Sequence, residues 1–526
     1  MVSSKPNPTG PDLRSPAIRG RIGWSGSEWR RTVPDPPAKT EGKRVRLPWL
    51  RTRPSAVTGR PWLWVALGLL AVVVIIGAHT ADLAGLLEVR ASWWRPLIAV
   101  PATGLLLLAW WQLGPTWRHP LLTAAIWIAP MLFAFPMHSR DAYAYAATGW
   151  QVAHGINPYE TPIGDAGLAG LLVGVHWYKT TSVYPSLSLD IFGLISQMTG
   201  GDLYWTLVAL RLPSLLALAI LAFCLPRLAR RFGIDPRLAL WAGLLNPIML
   251  VQWVGGVHND ALMVALGVAA LLAATDLGWR GWRGLVVAGV LLGLAMGIKQ
   301  SAALYGLGVV AVGWGLRFRD GEKVGGWPRL IAVAVVPGLI TIATFLVSSL
   351  SWGLGWRNPT AGSPVEATSN APLSWVASFL RYNELLPHST ANALVTGLST
   401  VLMVVAIVLV WVRVGPTGAR IGRPWLFTVL VLAAFNVLGP ALQPWYLTLF
   451  LPLYVFLRGG PGWNRVWLVV VAAFALLAPL QDILPSYVSM AVVGVPLWFA
   501  WRALARREID PLPASDPERD PFKTPV

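Results

Sequence analysis

The sequence is poor in charge and almost without sulfur: of its 526 residues 13% are charged, and one is a cysteine. A lone thiol, Cys224, excludes an intramolecular disulfide and any thiolate metal cluster, and its apolar setting reads as packing. A soluble domain carries roughly 25% charged residues to cover its surface, so about half of the usual polar coat is missing. No P-loop, Rossmann glycine pattern or Gly-x-Ser-x-Gly elbow stands in a convincing context. A soluble nucleotide donor therefore has no obvious seat. No signal peptide is expected either, because about 60 polar, Pro-rich and basic residues precede the first apolar run near Trp62.

What is abundant is apolar. Hydrophobic residues make up 55% of the chain, and the mean hydropathy is +0.56. Runs of about 20 residues recur, the length that crosses a bilayer as a helix. The expected fold is an all-α polytopic membrane protein with about 13–14 transmembrane helices. Their starts fall near Trp62, Pro96, Pro120, Leu203, Leu238, Ala261, Leu285, Ser301, Leu330, Asn392, Trp425, Tyr446, Val466 and Ser486. Residues 61–502 form the membrane domain in this reading, between disordered cytoplasmic tails at 1–60 and 503–526.

The net charge of +18 suggests nucleic acid until its distribution is examined. Basic residues concentrate in alternate loops and in the amino-terminal tail, which holds 13 Lys/Arg against 4 Asp/Glu. With that tail inside the cell, 34 Lys/Arg fall on the cytoplasmic side and 7 outside. This is the positive-inside signature of a membrane protein, not a nucleic-acid footprint. The thirty tryptophans fit a membrane as well, pairs such as Trp93-Trp94 and Trp110-Trp111 being expected at its interfaces.

Two outside segments are too long for simple connectors, about 137–202 and 351–391, and long loops in compact proteins are usually functional or disordered. The first is too rich in aromatic and aliphatic residues for disorder. Within it, Asp141 to Gly155 and Pro185 to Met198 have helical apolar spacing and are expected along the membrane surface.

Polar chemistry collects at these outer positions. Asp141, in His138-Ser139-Arg140-Asp141-Ala142-Tyr143-Ala144-Tyr145, shares a helix face with Tyr145 but not with Tyr143. A carboxylate among aromatic rings suits a base of raised pKa; equally, it suits an amino-terminal helix cap. His258-Asn259-Asp260 joins two spans through a short turn, where capping competes with a functional role for intramembrane ionisable groups. One His and one Asp are too few for a metal site at that spacing, so a divalent cation is neither demanded nor excluded.

Lys299 lies outside, against the positive-inside rule, and Arg211 is placed about two turns into the fourth span. Both either snorkel or bind a membrane-embedded anion such as a lipid phosphate, with Arg140 and Arg357 as further guanidinium partners. Asn157-Pro158-Tyr159, Tyr184-Pro185 and Gln443-Pro444-Trp445-Tyr446 offer aromatic faces beside amides, which suit sugar rings as well as turns.

These motifs, with Thr180-Thr181, Gly255-Gly256-Val257-His258-Asn259-Asp260 and Lys299, occur in the order and setting of one family. The chain resembles the actinobacterial polyprenol-phosphomannose-dependent α-1,6-mannosyltransferases, multispan glycosyltransferases of the GT-C type. The likeness covers roughly Pro96 to Leu316 well and the carboxyl-terminal spans loosely. It implies a polyprenyl-phosphate-mannose donor, a mannan-type glycolipid acceptor of lipomannan or lipoarabinomannan, and an acidic general base, the matching position being Asp141. Here three spans precede that residue, where many GT-C enzymes have one; two extra spans preserve its side of the membrane. The rival readings are a transferase of another sugar or acceptor, and a transporter or flippase, which predicts inverted repeats that are not found.

Overall fold

The computed structural model describes residues 60–81, 94–275, 282–317, 327–357, 370–415, 424–457, 461–480 and 486–505. The two tails assigned above lie outside the described residues except at Arg60 and 503–505, as do Trp93 and the middle of the second long loop. Among the described residues there is no strand.

Helices of seven or more residues are numbered in chain order. The first group is α1 Pro61–Ala81, α2 Trp94–Leu113, α3 Pro120–Ile128, α4 Asp141–Ala153, α5 Ser186–Met198, α6 Leu203–Ala209, α7 Leu212–Arg231 and α8 Pro236–Gly243. There follow α9 Asp260–Ala274, α10 Trp282–Ile298, α11 Ala303–Arg317, α12 Trp327–Val347, α13 Pro372–Tyr382, α14 His388–Val414, α15 Pro424–Leu438, α16 Pro461–Leu477 and α17 Ser486–Ala505.

Among the described residues five helical stretches are long and apolar enough to span a bilayer: Pro61–Thr80, Trp94–Leu113, Leu203–Arg231, His388–Val414 and Gly462–Leu480. A sixth arises if Pro236–Gly243 and Pro247–Gly255, bent by 53°, count as one. The expected spans from Ala261, Leu285, Ser301 and Trp425 correspond to α9, α10, α11 and α15, of 15, 17, 15 and 15 residues. At 1.5 Å per residue each falls short of a core about 30 Å thick. The run at Tyr446 is not an α-helix. Pro444 and Pro452 remove backbone donors, and the chain winds instead into the 3-10 segments Pro444–Leu449 and Leu451–Leu457.

Trp110 also departs from expectation. It is a core residue, 1% exposed, stacked on Trp241 at 4.3 Å, with each indole N–H donating to the other's carbonyl. An indole buried this deeply needs a partner for its N–H, and the reciprocal bonds provide both. Lipid is met instead by the rim: α14 exposes Leu394, Leu398, Val401, Val405 and Val408.

The helix ends sort into two sets. In one, the Met137 N–H donates to Gly255 O (2.9 Å), Ser188 Oγ to Ile298 O (2.8 Å), Gln300 Nε2 to Val183 O (3.0 Å), Ser186 Oγ to Gly353 O (2.8 Å) and the Asn370 N–H to Leu442 O (2.8 Å). In the other, Arg231 donates to Thr275 Oγ1, Phe232 meets Trp425 at 5.0 Å, and Trp425 stacks on Phe456 at 4.9 Å. Each set gathers segments that the charge count places on one side. The pairing of loops therefore follows the parity of the apolar runs, even where a run is too short for a regular crossing.

The first long loop builds its own layer, in which α5 keeps Leu194 and Met198 exposed while α4 is an interior helix. Residues 142–149 of α4 are buried all round. The helix packs on α5, and a Cβ on Gly149 would lie 2.4 Å from Phe192 O, so that crossing is as close as backbones allow. Tyr143, Tyr145, Tyr159, Tyr184, Leu189 and Phe192 form the centre of this second core.

Candidate active site

Two short loops meet over the layer, and each carries a residue in the left-handed region: His138 at φ 64° and Val257 at φ 59°. For a β-branched valine this is a strained conformation, kept when surrounding structure over-determines it. Much of that structure is Arg211. Its guanidinium donates to Ala134 O (2.6 Å), Val254 O (3.1 Å) and Leu207 O (2.8 Å), and the side chain is 1% exposed. It lies at the break between α6 and α7, neither snorkelling nor open to an anion. It braces the approaches to both loops.

Asp141 occupies the first position of α4 rather than capping it. Its N–H donates to Ser139 Oγ (3.1 Å), leaving the carboxylate directed inward at 15% exposure. Ser139 and Trp177 hydrogen-bond the carboxylate, and Oδ2 lies 3.6 Å from Nδ1 of His258. Burial lifts the carboxyl to about 6, with Lys299 opposing that rise and Asp260 adding to it.

His258 is fully buried and stacks face to face on Trp445, with centroids 3.9 Å apart and planes at 17°. Burial and then Lys299 hold its pKa well below the ordinary range, so the ring is neutral. Asn259 stands at the cap position of α9 without a side-chain capping bond, and Asp260 is the first residue of that helix. Capping explains neither. Asp260, 1% exposed, takes Lys299 Nζ on both oxygens, at 2.8 and 2.9 Å. The same ammonium lies 4.6 Å from the centre of the Tyr446 ring, a cation–π contact. Burial by itself would lower the Lys299 pKa; Asp260 above all, with Tyr446 and Tyr184, outweighs it, and the net shift is upward.

The tyrosines link these groups. Tyr184 OH donates to Tyr145 OH (3.5 Å), and Tyr145 OH donates to Asn259 Oδ1 (3.4 Å). Burial pushes both phenols well above the ordinary range, so they act as neutral donors. Among the described residues no three His, Cys, Asp or Glu side chains gather where they could hold a metal ion.

A carboxylate of raised pKa beside a neutral imidazole, a second carboxylate tied to an ammonium, and a run of phenols can accept a proton and steady negative charge. Comparison with known proteins gives the family. A family model described as alpha-(1->6)-mannopyranosyltransferase, N-terminal domain, matches residues 62–315. Alpha-(1->6)-mannopyranosyltransferase A of Mycobacterium tuberculosis is 30% identical over 374 residues, covering 65% of this chain and 67% of the relative. The chain belongs to the alpha-(1->6)-mannopyranosyltransferase family. Alpha-(1->6)-mannopyranosyltransferase A of Corynebacterium glutamicum is 28% identical over 66% of this chain and 72% of its own length. For alpha-(1->6)-mannopyranosyltransferase B of the same organism the figures are 25%, 78% and 74%. No solved structure matches the chain.

The mannopyranosyltransferase match contains Asp141, His258, Asp260 and Lys299, whereas Trp445 and Tyr446 come from beyond it. Other sequence candidates lie outside this cluster or serve the fold. Tyr143 faces away from Asp141, 2% exposed, its phenol pushed up to about 12 by burial. Asn157 closes a turn, accepting from the Tyr159 N–H (3.0 Å) and donating to Glu160 (2.8 Å). Tyr159 OH donates to Tyr184 O (2.7 Å), which fixes the tyrosine loop. Arg140 and Arg357 are exposed, and among the described residues no contact joins Arg357 to the cluster. Gln443 precedes the 3-10 segment that carries Trp445, its carbonyl accepting from the Tyr446 N–H.

Sequence reasoning met Ser139, Trp177, Tyr446 and Gly256 only within motifs, Trp177 in the aromatic run Trp177-Tyr178-Lys179, and gave none of them a place of its own in the site. Tyr446 had a signal, since it directly follows Trp445 in an aromatic motif. Gly256 had one in its neighbour Gly255, a glycine pair immediately before the polar triplet.

Proposed function

We propose that this α-1,6-mannosyltransferase takes mannose from polyprenyl-phosphate-mannose and adds it, with inversion, to a mannan core of lipomannan or lipoarabinomannan. The observation that carries the reading is the position of Asp141, partly exposed and of raised pKa, beside the Asp260–Lys299 pair. In this reading Asp141 accepts the proton of the acceptor's 6-hydroxyl while that oxygen attacks the anomeric carbon. The C–O bond to the phosphate breaks, and the electron pair leaves with the phosphate. Lys299 donates to both oxygens of Asp260 and bonds the Tyr446 phenol, and in this reading its positive charge steadies the leaving phosphate.

A narrow, partly open gap lies along Tyr145, His258 and Asn259. Its walls include Ile191, Phe192, Leu210 and Leu262. Apolar walls beside polar groups suit a lipid-linked donor better than a free nucleotide sugar. The excess of basic residues in alternate loops supports an outer position for this end of the bundle at the cytoplasmic membrane.

The test incubates purified protein with radiolabelled polyprenyl-phosphate-mannose and a short α-1,6-mannoside. Competing carriers that bear glucose or arabinose address the choice of sugar. Labelled mannoside longer by one unit in the native protein, and none with Asp141→Asn, is the expected result. Equal turnover by the variant removes Asp141 as base, and no transfer by the native protein removes the donor assignment.

A further inference from the structure

The His258 ring makes no hydrogen bond that would explain why it is buried. Both ring nitrogens are fully buried and lack a partner, although Nδ1 stands 3.6 Å from Asp141 Oδ2. A buried polar group without a partner costs free energy, yet three independent features hold the ring in place. Trp445 covers one face at 3.9 Å. Gly256 leaves room for the edge, where an added Cβ would lie 2.9 Å from Cδ2, 3.0 Å from Nε2 and 2.8 Å from Gln252 O. Val257, immediately before the histidine, accepts a left-handed φ of 59°. Strain, a glycine and an indole thus combine to aim an imidazole at one carboxylate.

We infer that His258 is the positioning residue for Asp141: its Nδ1–H closes on Oδ2 when substrate binds, turning Oδ1 toward the acceptor hydroxyl. This rests on Asp141 being the base. Catalytic hydrogen bonds are often long in the unliganded enzyme and tighten in the reacting complex, and closing 3.6 Å to bonding distance takes under about 1 Å of movement. The proton of the acceptor hydroxyl passes to Oδ1 as the new C–O bond forms and the phosphate departs with its electron pair. His258 stays neutral throughout, keeping its own proton, and Asp141 later releases the transferred one to solvent. Trp445 acts one step further out, by holding the ring.

The titratable groups that face the pair come from every neighbouring element. They are Lys299 and Asp260 at the ends of α10 and α9, Tyr145 and Tyr184 from the first loop, Tyr446 from the Pro444 segment, and His138. None of these titratable groups is an N–H donor stacked beside Oδ2, and Ser139 and Trp177, which also bond the carboxylate, are unchanged in the histidine variants, so a moved limb reports the loss of the imidazole. A donor to a carboxylate favours its charged form; without it the carboxyl holds its proton to higher pH.

The experiment compares His258→Phe, which keeps an aromatic ring on Trp445 but has no donor, with His258→Asn, whose amide nitrogen replaces Nδ1. Transfer from polyprenyl-phosphate-mannose is followed against pH. For His258→Phe we expect kcat to fall about 100-fold, the loss typical of a 1 Å misplacement. KM should be nearly unchanged, and the acidic limb of the profile should move to higher pH. His258→Asn should recover most of the rate and return the limb. An unmoved limb in His258→Phe, or an Asn variant no better than Phe, overturns the positioning role. A raised KM with an unmoved limb would make His258 a substrate contact instead. Asp141→Asn, measured alongside, separates these outcomes from failure of the base assignment: it must be inactive even where the histidine variants leave the limb in place.

Discussion

The ammonium of Lys299 lies 2.8 and 2.9 Å from the two oxygens of Asp260, although 39 residues separate them in the chain. Asp260 is 1% exposed and Lys299 18%, so the pair sits at a boundary, its carboxylate sealed and its ammonium partly open. A buried ion pair is a poor source of net stability, because desolvation offsets most of the attraction. Its value here is to hold a cation in the site without fully neutralising it. The Tyr446 ring, 4.6 Å away, guides the same group from the opposite side of the sequence.

Replacing Lys299 by Met should therefore do two separable things. Asp260 loses its partner while still buried, which costs about 3–5 kcal/mol of stability. In the double variant Lys299→Met, Asp260→Leu the buried charge is gone, and most of that loss should return. Donor use should stay impaired in both. Thermal unfolding in detergent reads the first effect and KM for polyprenyl-phosphate-mannose the second; a double variant with native KM would exclude Lys299 from the phosphate.

Asp141→Asn should reduce transfer by about 100- to 10,000-fold, the range of a lost general base. The melting temperature should change little or rise, since the amide removes a buried charge. Steady-state turnover and unfolding in the same detergent check both halves.

The pH profile follows from the sign of the Asp141 shift. Its carboxyl, lifted by burial to about 6, must be ionised to accept a proton. Below that pH the protonated fraction grows and kcat/KM should fall tenfold per unit; above it the rate should level off. An unperturbed aspartate would place the bend near its ordinary value of 3.8. Measured from pH 4.5 to 8 on the free enzyme, a rate flat throughout would contradict the assignment.

Arg211→Met should act on the frame rather than on the chemistry. It leaves the carbonyls of Ala134, Val254 and Leu207 buried without a donor. At about 1–3 kcal/mol for each unsatisfied group, the loss should be visible as a large drop in melting temperature. Arg211→Lys, with a compact ammonium in place of a planar fork, should recover part of it.

Much of the architecture was legible in one dimension. Apolar runs, the parity of the loops and the placement of basic residues follow from the bilayer's demand for internally satisfied backbone. They anticipate which loops meet. Span lengths were less legible, since an apolar run does not record whether its backbone stays α-helical. The 3-10 path at Pro444–Leu449 and the break at Asn246-Pro247 are cases in which proline and packing decided.

The candidate site divides in the same way. Asp141, His258-Asn259-Asp260 and Lys299 stand out in the sequence because polar triplets and an outer lysine are out of place beside apolar runs. Arg211 stands out for the same reason, yet its partners are backbone carbonyls, which carry no sequence signature. Charge and hydropathy are properties of residues, so the sequence by itself determined a helical membrane protein and marked the polar residues of its candidate site. Whether Lys299 faces a phosphate or Asp260, and whether His258 faces water or Asp141, depends on contacts between segments far apart in the chain. That was decided in the tertiary structure, by the crossing of α4 and α5, the brace of Arg211 and the Trp445 face against the imidazole.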